Sequence, residues 1–507
     1  MSCTRWAKIG LLGAASVMVL SMAPSEVVAQ SSELPTVTVT APKQRAARRA
    51  QPTRRARPRP APVTPSQQTA SRPGPSVPAE RGTGPVVGYS AKQSISSSKT
   101  DTPILETPQS VSVVTRDQMV AQGAQDLPQA LGYTPGVTVP SYGPNQFFDN
   151  FKVRGFDAPR YLDGLRLPSD VTTFAAPKIE TYGLERLEVL KGPSSGLYGA
   201  SDPGGIINMI SKRPQATPHY SVEGTFGSYD RYQGAFDIGG PMDAAGEWLY
   251  RLVGLFRQSN TEVNFVQDNK IFIAPSLTWR PNADTSFTIL SHYQKIDNKG
   301  YQQYVPGQVA FSGNPLGRIK RNTYLGEPGA DGYLLEQMAL GYAFEHRFDN
   351  NVQFRQNFRY TEATQDLHSI RPEGMIGNNL VLRSYDYVRP HTQNLTLDNQ
   401  LQADFRTGPV THKVLGGFDY THMKANSEFR ITYAFPPIDA FNPVYGAAIP
   451  SFASLAPPFI KRDDHQSQAG FYLQDQLHLS DHWIVVGGAR YQWFNFGQAY
   501  GHLLDFP

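Results

Sequence analysis

The sequence predicts a mainly β protein: an N-terminal α/β domain is followed by the strands of an antiparallel transmembrane β-barrel. Three observations predict this fold class. The chain starts with a secretory signal, segments of about ten residues alternate apolar with polar side chains from about Tyr220 onward, and short turns alternate with long links between these segments. In membrane barrels the apolar faces contact lipid, the polar faces line a wet lumen, and only the external loops are long.

Residues 1–29 have the three parts of a secretory signal. Arg5 and Lys8 precede the apolar run Ile9–Leu20, which is too short to span a bilayer, and small residues follow it. An uncleaved N-terminal membrane anchor is the alternative. The single cysteine, Cys3, lies within the signal, so the mature chain folds without disulfides.

Residues 30–41 contain an isolated β-branched stretch, ELPTVTVTA, with no strand nearby in the sequence for it to pair with. Residues 42–98 are rich in proline and arginine and poor in large apolar side chains, which predicts a disordered, extended linker. A basic arm usually indicates nucleic acid, but this chain is exported and its net charge is only +4. The sequence therefore predicts no nucleic-acid partner.

Residues 99–214 have the pattern of a compact α/β domain. Glu106–Val139 predicts a strand, two helices and a strand, with a glycine closing the second helix. Three further segments, Asn150–Asp157, Tyr161–Pro168 and Leu184–Pro214, predict short strands joined by glycine-rich turns.

Residues 215–495 carry the alternating segments, which we count as about eleven strands ending with Asp481–Phe494. Long links are expected near 258–270, 298–332, 366–392 and 429–465. The polar faces include charged residues in rows, which a soluble sandwich core would not accept, although a soluble all-β domain is the alternative. Residues 496–507 lack strand character and are expected to form a tail.

An ordered series of motifs resembles the plug domain of TonB-dependent outer-membrane receptors: TPQSVSVVTRDQM, TPGV, VRGF, YLDGLRL, LERLEVLKGPSSGLYG and PGGIINMISKRP. The resemblance runs from about residue 33 to 495 and is greatest to siderophore receptors of the ferrichrome, or hydroxamate, type. It implies a receptor in the bacterial outer membrane that imports a ferric siderophore into the periplasm. The implied partners are TonB with its inner-membrane energising complex, the siderophore and lipid. The resemblance also implies a monomer without a cofactor, since iron arrives inside the ligand.

The resemblance also explains the isolated stretch, which corresponds to the TonB box. TonB adds such a segment as an edge strand, which requires a free, extended and β-branched sequence, and the linker lets it reach its partner. The corresponding residues are Leu34, Pro35, Thr36, Val37, Thr38, Val39 and Thr40.

Four aromatic residues match ligand-binding positions of the family, namely Tyr142, Tyr182, Tyr304 and Phe429. Aromatic rings suit a bulky iron chelate because they offer apolar faces, and tyrosine adds a hydroxyl donor. The ferrichrome type carries an arginine where this chain has Tyr142, so the identity of the ligand stays open. An ordinary loop or interfacial aromatic is the alternative for each position.

Two basic residues, Arg154 and Lys191, match plug positions that pair with glutamates of the barrel in this family. A buried basic side chain requires such a partner. In the family those glutamates lie in the C-terminal half of the barrel.

The chain departs from the family in size, because about 11 of the 22 strands typical of plugged transporters are present. A truncated chain is therefore expected, and a remnant that does not transport is one alternative. Another alternative is an importer of a different ligand, such as cobalamin. The segment Gly192–Gly196 has the form G-x-S-x-G, but an antiparallel barrel places no Asp and His beside it, so the sequence predicts no enzyme.

Overall fold

A computed structural model describes residues 80–139, 149–168, 176–301, 304–451, 455 and 460–501. The signal, the TonB box, most of the linker, Tyr142 and the last six residues lie outside the described residues.

The folded part of the chain already includes Glu80, well before the domain start predicted at residue 99. The carboxylate of Glu80 accepts hydrogen bonds from the amides of Lys92 and Gln93, at 3.0 and 3.1 Å. Ser94 and the residues from Ser96 to Thr100 are buried. The linker predicted over 42–98 is therefore too long, because its last residues satisfy their polar groups against the domain that follows.

The α/β domain, called the plug below, comprises the described residues between Glu80 and Pro214. As predicted, a strand, two helices and a strand occupy Glu106–Val139. The elements of the plug are β1 (Gln93–Ser94), β2 (Thr102–Pro103), β3 (Ser110–Thr115), α1 (Arg116–Gln122), α2 (Leu127–Leu131), β4 (Val137–Thr138), β5 (Lys152–Val153), β6 (Phe156–Asp157), β7 (Arg160–Leu162), β8 (Leu165–Arg166), β9 (Leu184–Lys191), α3 (Ser195–Tyr198) and β10 (Gly205–Ser211), with 3₁₀ turns at Ile104–Glu106 and Thr181–Gly183.

Local sequence sets the helix ends in the plug. The hydroxyl of Thr115 accepts from the amide of Gln118 at 3.2 Å, and α1 ends at Gly123, whose φ of 63° suits glycine. Five strands form the main plug sheet in the order β3-β9-β10-β7-β8, with β7 parallel to β10. The core beneath it is apolar and includes Leu127, Leu131, Leu187, Val189, Ile207 and Met209.

The second part of the chain is an antiparallel sheet of eleven strands in sequence order, called the barrel sheet, which confirms the predicted strand number. Its strands are β11 (His219–Gly227), β12 (Arg231–Pro241), β13 (Trp248–Gln258), β14 (Lys270–Trp279), β15 (Thr285–Lys299), β16 (Gly332–Arg347), β17 (Val352–Ile376), β18 (Leu380–Thr407), β19 (Val410–Asp439), β20 (Ile460–His478) and β21 (Ile484–Gly501), with a short helix α4 (Gly307–Ala310) between β15 and β16.

Side chains of the barrel sheet alternate between the plug and the outside. On β16, Gln337 is buried and bonds the backbone of Lys178 in the plug, while Met338 and Leu340 are exposed on the opposite face. Trp248 and Trp279 stack near the end that carries the short turns, with ring centroids 6.0 Å apart. The outward apolar face and this aromatic pair are typical of a sheet that meets lipid.

Connections at one end of the barrel sheet are short, at 242–247, 280–284, 348–351, 408–409 and 479–483. The other end, called the outer end, carries the long links 259–269, 300–331 and 440–459. The link predicted at 366–392 is wrong, because β17 and β18 continue as paired strands to a tight turn at Gly377, where φ is 63°. The tail predicted from residue 496 is also wrong as far as Gly501, because β21 stays paired with β20 to that residue.

Candidate ligand-binding site

The three predicted ligand-binding residues that the structure describes do not form one cluster. Tyr142 lies outside the described residues. Tyr304 is 43% exposed in the link 300–331, whereas Phe429 is half-buried on β19 and Tyr182 is only 6% exposed. Their different burial means that each must be considered separately.

Tyr182 lies between the plug and the barrel sheet. Its hydroxyl donates to Glu223 at 3.1 Å, and its ring lies 4.8 Å from the guanidinium of Arg116 and 4.2 Å from the ammonium of Lys212. Burial and the neighbouring Glu223 raise the pKa of Tyr182 above its ordinary value. In this conformation both the hydroxyl and the ring of Tyr182 already have protein partners. Its ligand-binding role stays a prediction, and this packing argues against it.

Phe429 packs against a group of side chains on the plug-facing side of the outer end. This group, called the outer aromatic cluster, comprises Ile296, Tyr301, Tyr333, Leu335, Ala363, Leu367 and Val388 together with Phe429. Tyr301 and Tyr333 are only 7% and 1% exposed, so Phe429 is the ring of this cluster that a chelate could reach in this conformation. Sequence reasoning missed Tyr301 and Tyr333, although Tyr301 stands three residues before Tyr304 and Tyr333 begins an alternating strand.

The predicted basic residues lie together. The backbone of Arg154 has a left-handed φ of 51°, and the ammonium of Lys191 donates to the hydroxyl of Ser112 at 2.7 Å. Partial burial and the nearby charge of Arg154 lower the pKa of Lys191. Neither side chain forms an ion pair with a described residue, so their pairing with barrel glutamates stays a prediction.

Other ion pairs join the plug to the barrel sheet. Lys99 pairs with Asp398 at 2.9 Å, and Lys270 of β14 pairs with Glu180 at 2.7 Å; all four side chains are buried. Sequence reasoning missed these pairs because their members lie about 90 or more residues apart. A buried charge is tolerated only where it is paired, so these contacts determine where the plug can dock.

Asp163 forms a further contact of this kind, with Arg359 of β17 at 2.5 Å. Burial alone would raise the pKa of Asp163, but Arg359 and Arg213 outweigh it and lower that pKa to about 2. Asp163 is therefore ionised at every physiological pH.

The links at the outer end are held by a buried polar group, called the loop cap. The hydroxyl of Tyr324 bonds the carboxyl of Asp331, and Glu327 pairs with Arg383 of β18 at 3.4 Å. Tyr445, from the link 440–459, donates to the carbonyl of Tyr324 at 2.9 Å. The loop cap thereby ties two long links to an extended strand.

Burial raises the pKa of Asp331 in the loop cap to about 8, against an ordinary value near 4. An acid whose folded pKa is raised favours the folded state while it is protonated, so the loop cap should loosen as pH rises from about 4 to 8. Hydrogen exchange of residues 324–331, corrected for intrinsic rates, should show up to about tenfold more opening per pH unit near neutrality. Asp331→Asn should remove this pH dependence of opening. If opening in that variant rose with pH as steeply as before, Asp331 would not be the group responsible. The other titratable groups around the Asp331 carboxyl are Tyr324, Glu327, Arg383 and Tyr385.

Among the described residues no group of three or more His, Cys, Asp and Glu side chains is arranged to hold a metal ion. The described helices include none that is both long and apolar enough to cross a membrane.

Two family models match the chain. The TonB-dependent receptor plug domain matches residues 103–206, and the TonB dependent receptor-like β-barrel matches residues 275–505. The first match falls within the plug, and the second covers most of the barrel sheet.

The curated relatives include receptors named for ferrichrome and ferrioxamine B. The ferrichrome outer membrane transporter/phage receptor of Escherichia coli is 33% identical over 461 residues, which are 85% of this chain and 61% of the relative. The ferrioxamine B receptor of Salmonella typhimurium is 35% identical over 401 residues, 78% of this chain and 56% of the relative. The chain thus spans less than two thirds of the length of these relatives.

Solved structures share the fold. The ferric-catecholate import receptor Fiu of Escherichia coli superposes with a TM-score of 0.71 at 22% identity, covering 81% of this chain and 59% of that chain. The ferripyoverdine receptor of Pseudomonas aeruginosa bound to ferripyoverdine gives 0.70 at 21% identity, covering 81% and 55%. The two matched models, the curated relatives and a plug docked on an eleven-stranded antiparallel sheet agree: the chain belongs to the TonB-dependent receptor family of outer-membrane proteins.

Proposed function

We propose that this chain belongs to a receptor that captures a ferric siderophore at the outer end and passes it to the periplasm when TonB acts on the plug. The outer aromatic cluster carries this proposal, because it places the half-buried ring of Phe429 over two buried tyrosines on the plug-facing side, where an incoming ligand would meet the plug. The names of the curated relatives, which include ferrichrome and ferrioxamine receptors, favour a hydroxamate chelate.

Energy coupling requires the TonB box. Deletion of Leu34–Thr40 should abolish siderophore-dependent growth while leaving siderophore binding intact, because the segment lies far along the sequence from the aromatic cluster and acts only as an added edge strand. The measurement is iron-radiolabel uptake beside binding in cells that produce the receptor. Deletion of residues 60–66, which removes the same length from the linker, is the control and should preserve uptake. Equal uptake by both deletion variants would refute the TonB dependence.

Ligand class is tested by quenching of intrinsic fluorescence with ferrichrome, ferrioxamine B, a ferric catecholate and cobalamin. Phe429→Ala should weaken binding of the hydroxamates about tenfold, because it removes one apolar face of the cluster. Phe256→Ala is the matched control, since Phe256 is 53% exposed on β13 and outside the cluster. Quenching by cobalamin alone would favour the alternative importer, and equal effects of the two substitutions would exclude the cluster as the site.

A further inference from the structure

Gln294 of β15 is a buried amide that no protein group satisfies within the described part of the chain. It is 0% exposed, and neither its Oε1 nor its Nε2 atom forms a hydrogen bond with a described residue. The buried Nε2 atom of His292, two positions earlier and therefore on the same face of the strand, is likewise unpartnered among the described residues. Buried polar atoms are almost always satisfied by protein or by ordered water, so these three atoms require an explanation.

The neighbouring strand shows the usual arrangement. Gln337 of β16 stands opposite Gln294 in the strand register and is also buried. Its side chain accepts from the backbone amide of Lys178 at 3.1 Å and donates to the backbone carbonyl of the same residue at 2.7 Å. Gln337 thus bonds the plug directly, whereas the amide of Gln294 forms no such bond.

A small cavity separates Gln294 from the plug. Its volume is about 30 Å³, and its lining includes Gln294 and His292 on the side of the barrel sheet and Glu180, Ser211 and Lys212 on the side of the plug. A buried water molecule needs roughly 10 to 15 Å³ of such space and two to four polar partners. The cavity therefore has the room and the hydrogen-bonding groups for one or two water molecules.

The charged side chains that line this cavity are already paired with one another or with their neighbours. The pairs are Glu180 with Lys270 at 2.7 Å, Lys212 with Asp237 at 2.7 Å and Arg359 with Asp163 at 2.5 Å. Within the described lining, no charged group is therefore left over to attract an ion.

The unpartnered atoms also select the kind of guest. Gln294 offers a donor group and an acceptor oxygen together, and Nε2 of a neutral His292 either donates or accepts, according to the tautomer. A guest in contact with these atoms must both accept and donate hydrogen bonds. Water does both, whereas a halide only accepts them and a metal cation binds only acceptor atoms.

We propose that Gln294 and His292 hold one or two ordered water molecules that bridge β15 to the plug. A water-mediated hydrogen bond is enthalpically nearly as favourable as a direct one, so the plug is held through solvent at Gln294 and by direct bonds at Gln337 beside it. Gln294 is thus a positioning residue for bound water. This inference goes beyond the proposed function, because it requires neither a siderophore nor TonB.

X-ray radiolysis of the full chain in outer-membrane vesicles, followed by mass spectrometry, tests this site. Hydroxyl radicals formed from a bound water oxidise the side chains beside it, even where bulk solvent does not reach. Phe272 is the reporter, since it lines the cavity, is only 6% exposed and has its ring centroid 6.2 Å from that of His292. Phe272 should be oxidised in the unaltered chain. Gln294→Leu should lower that oxidation rate at least about threefold, because leucine offers no hydrogen bond to water.

The conservative variant Gln294→Asn keeps the amide and should keep the oxidation of Phe272. Gln400→Leu is the matched control, since it removes a buried amide of β18 that bonds Asp398 at 2.7 Å, outside the lining of this cavity. It should leave the oxidation rate of Phe272 unchanged. Met209, which is 0% exposed in the apolar core of the plug, reports on general opening and should be oxidised at the same low rate in every variant.

An unoxidised Phe272 in the unaltered chain would overturn the proposal, because the cavity would then be dry or would hold an ion. Equal oxidation of Phe272 in Gln294→Leu and in the unaltered chain would overturn it too, as would an equal loss in Gln294→Leu and Gln294→Asn. If faster oxidation of Met209 shows that Gln294→Leu opens the plug, Gln294→Met takes its place with the same expected loss at Phe272.

Discussion

Replacing Gly205 by alanine is expected to prevent the plug sheet from forming, with a loss of about 3 kcal/mol or more in the free energy of unfolding. Gly205 opens β10 and pairs with Lys191 of β9. Its φ is 131°, a conformation that L side chains rarely adopt, and a Cβ there would overlap the carbonyl oxygen of Leu190. The carbonyl belongs to the backbone of the partner strand and cannot move without breaking the pairing of the two central strands.

The measurement is protease resistance of residues 80–214 in isolated outer membranes, followed by mass spectrometry of the fragments. Gly196→Ala is the control, because a Cβ at that position in α3 meets no atom within 4 Å. It should be neutral or slightly stabilising, since alanine restricts the unfolded chain more than glycine does. A protease-resistant plug in Gly205→Ala would contradict the steric argument.

Replacing Arg359 by methionine is the second change with a large expected effect, because it removes the buried partner of Asp163. Arg359 also donates to the carbonyl of Leu162, so one side chain of β17 holds two groups of the plug. Loss of one member of a buried ion pair typically costs about 3 to 5 kcal/mol. Arg213 remains near Asp163 at 3.5 Å and moderates the loss.

Thermal unfolding followed by circular dichroism measures this effect. The double variant Asp163→Asn with Arg359→Met should recover part of the lost stability, because it no longer buries an unpaired carboxylate. Lys295→Met is the control, since its ion pair with Glu336 is solvent-accessible on the barrel sheet and should contribute little to stability. Equal destabilisation by Arg359→Met and Lys295→Met would exclude a special role for the buried pair.

Local patterns predicted much of the fold. The eleven strands followed from period-two alternation, and the helices of the plug followed from capping residues such as Thr115 and Gly123. The ordered residues 80–98 were missed because their serine-rich sequence is typical of linkers, whereas here groups distant in sequence, such as Glu188, bind their polar atoms. The extension of β17 and β18 was missed for a similar reason: Pro372 and Gly377 indicate a loop, yet their neighbours find partners across the hairpin.

The candidate site was less predictable than the fold. Tyr182 matches a family motif, but its hydroxyl bonds Glu223, which is 41 positions away in the sequence. The residues next to Tyr182 in the sequence give no sign of that contact. Phe429 was predicted at the start of the long link 429–465, but it lies on β19, which continues to Asp439. Its neighbours Tyr301 and Tyr333 come together with it only through the tertiary fold.

The lengths of three strands have a consequence for the cell surface. β17, β18 and β19 have 25, 28 and 30 residues. At about 3.4 Å per residue and a tilt near 45°, such strands rise roughly 60 to 70 Å, whereas the lipid-facing band of a barrel is about 25 Å tall. The parts of these three strands that exceed the lipid-facing band form a hydrogen-bonded sheet that projects above the outer leaflet. On intact cells with long lipopolysaccharide chains, an antibody against the hairpin tip at residues 374–382 should therefore bind. An antibody against the short turn at residues 228–230, at the same end of the sheet, should not bind, because the lipopolysaccharide covers it.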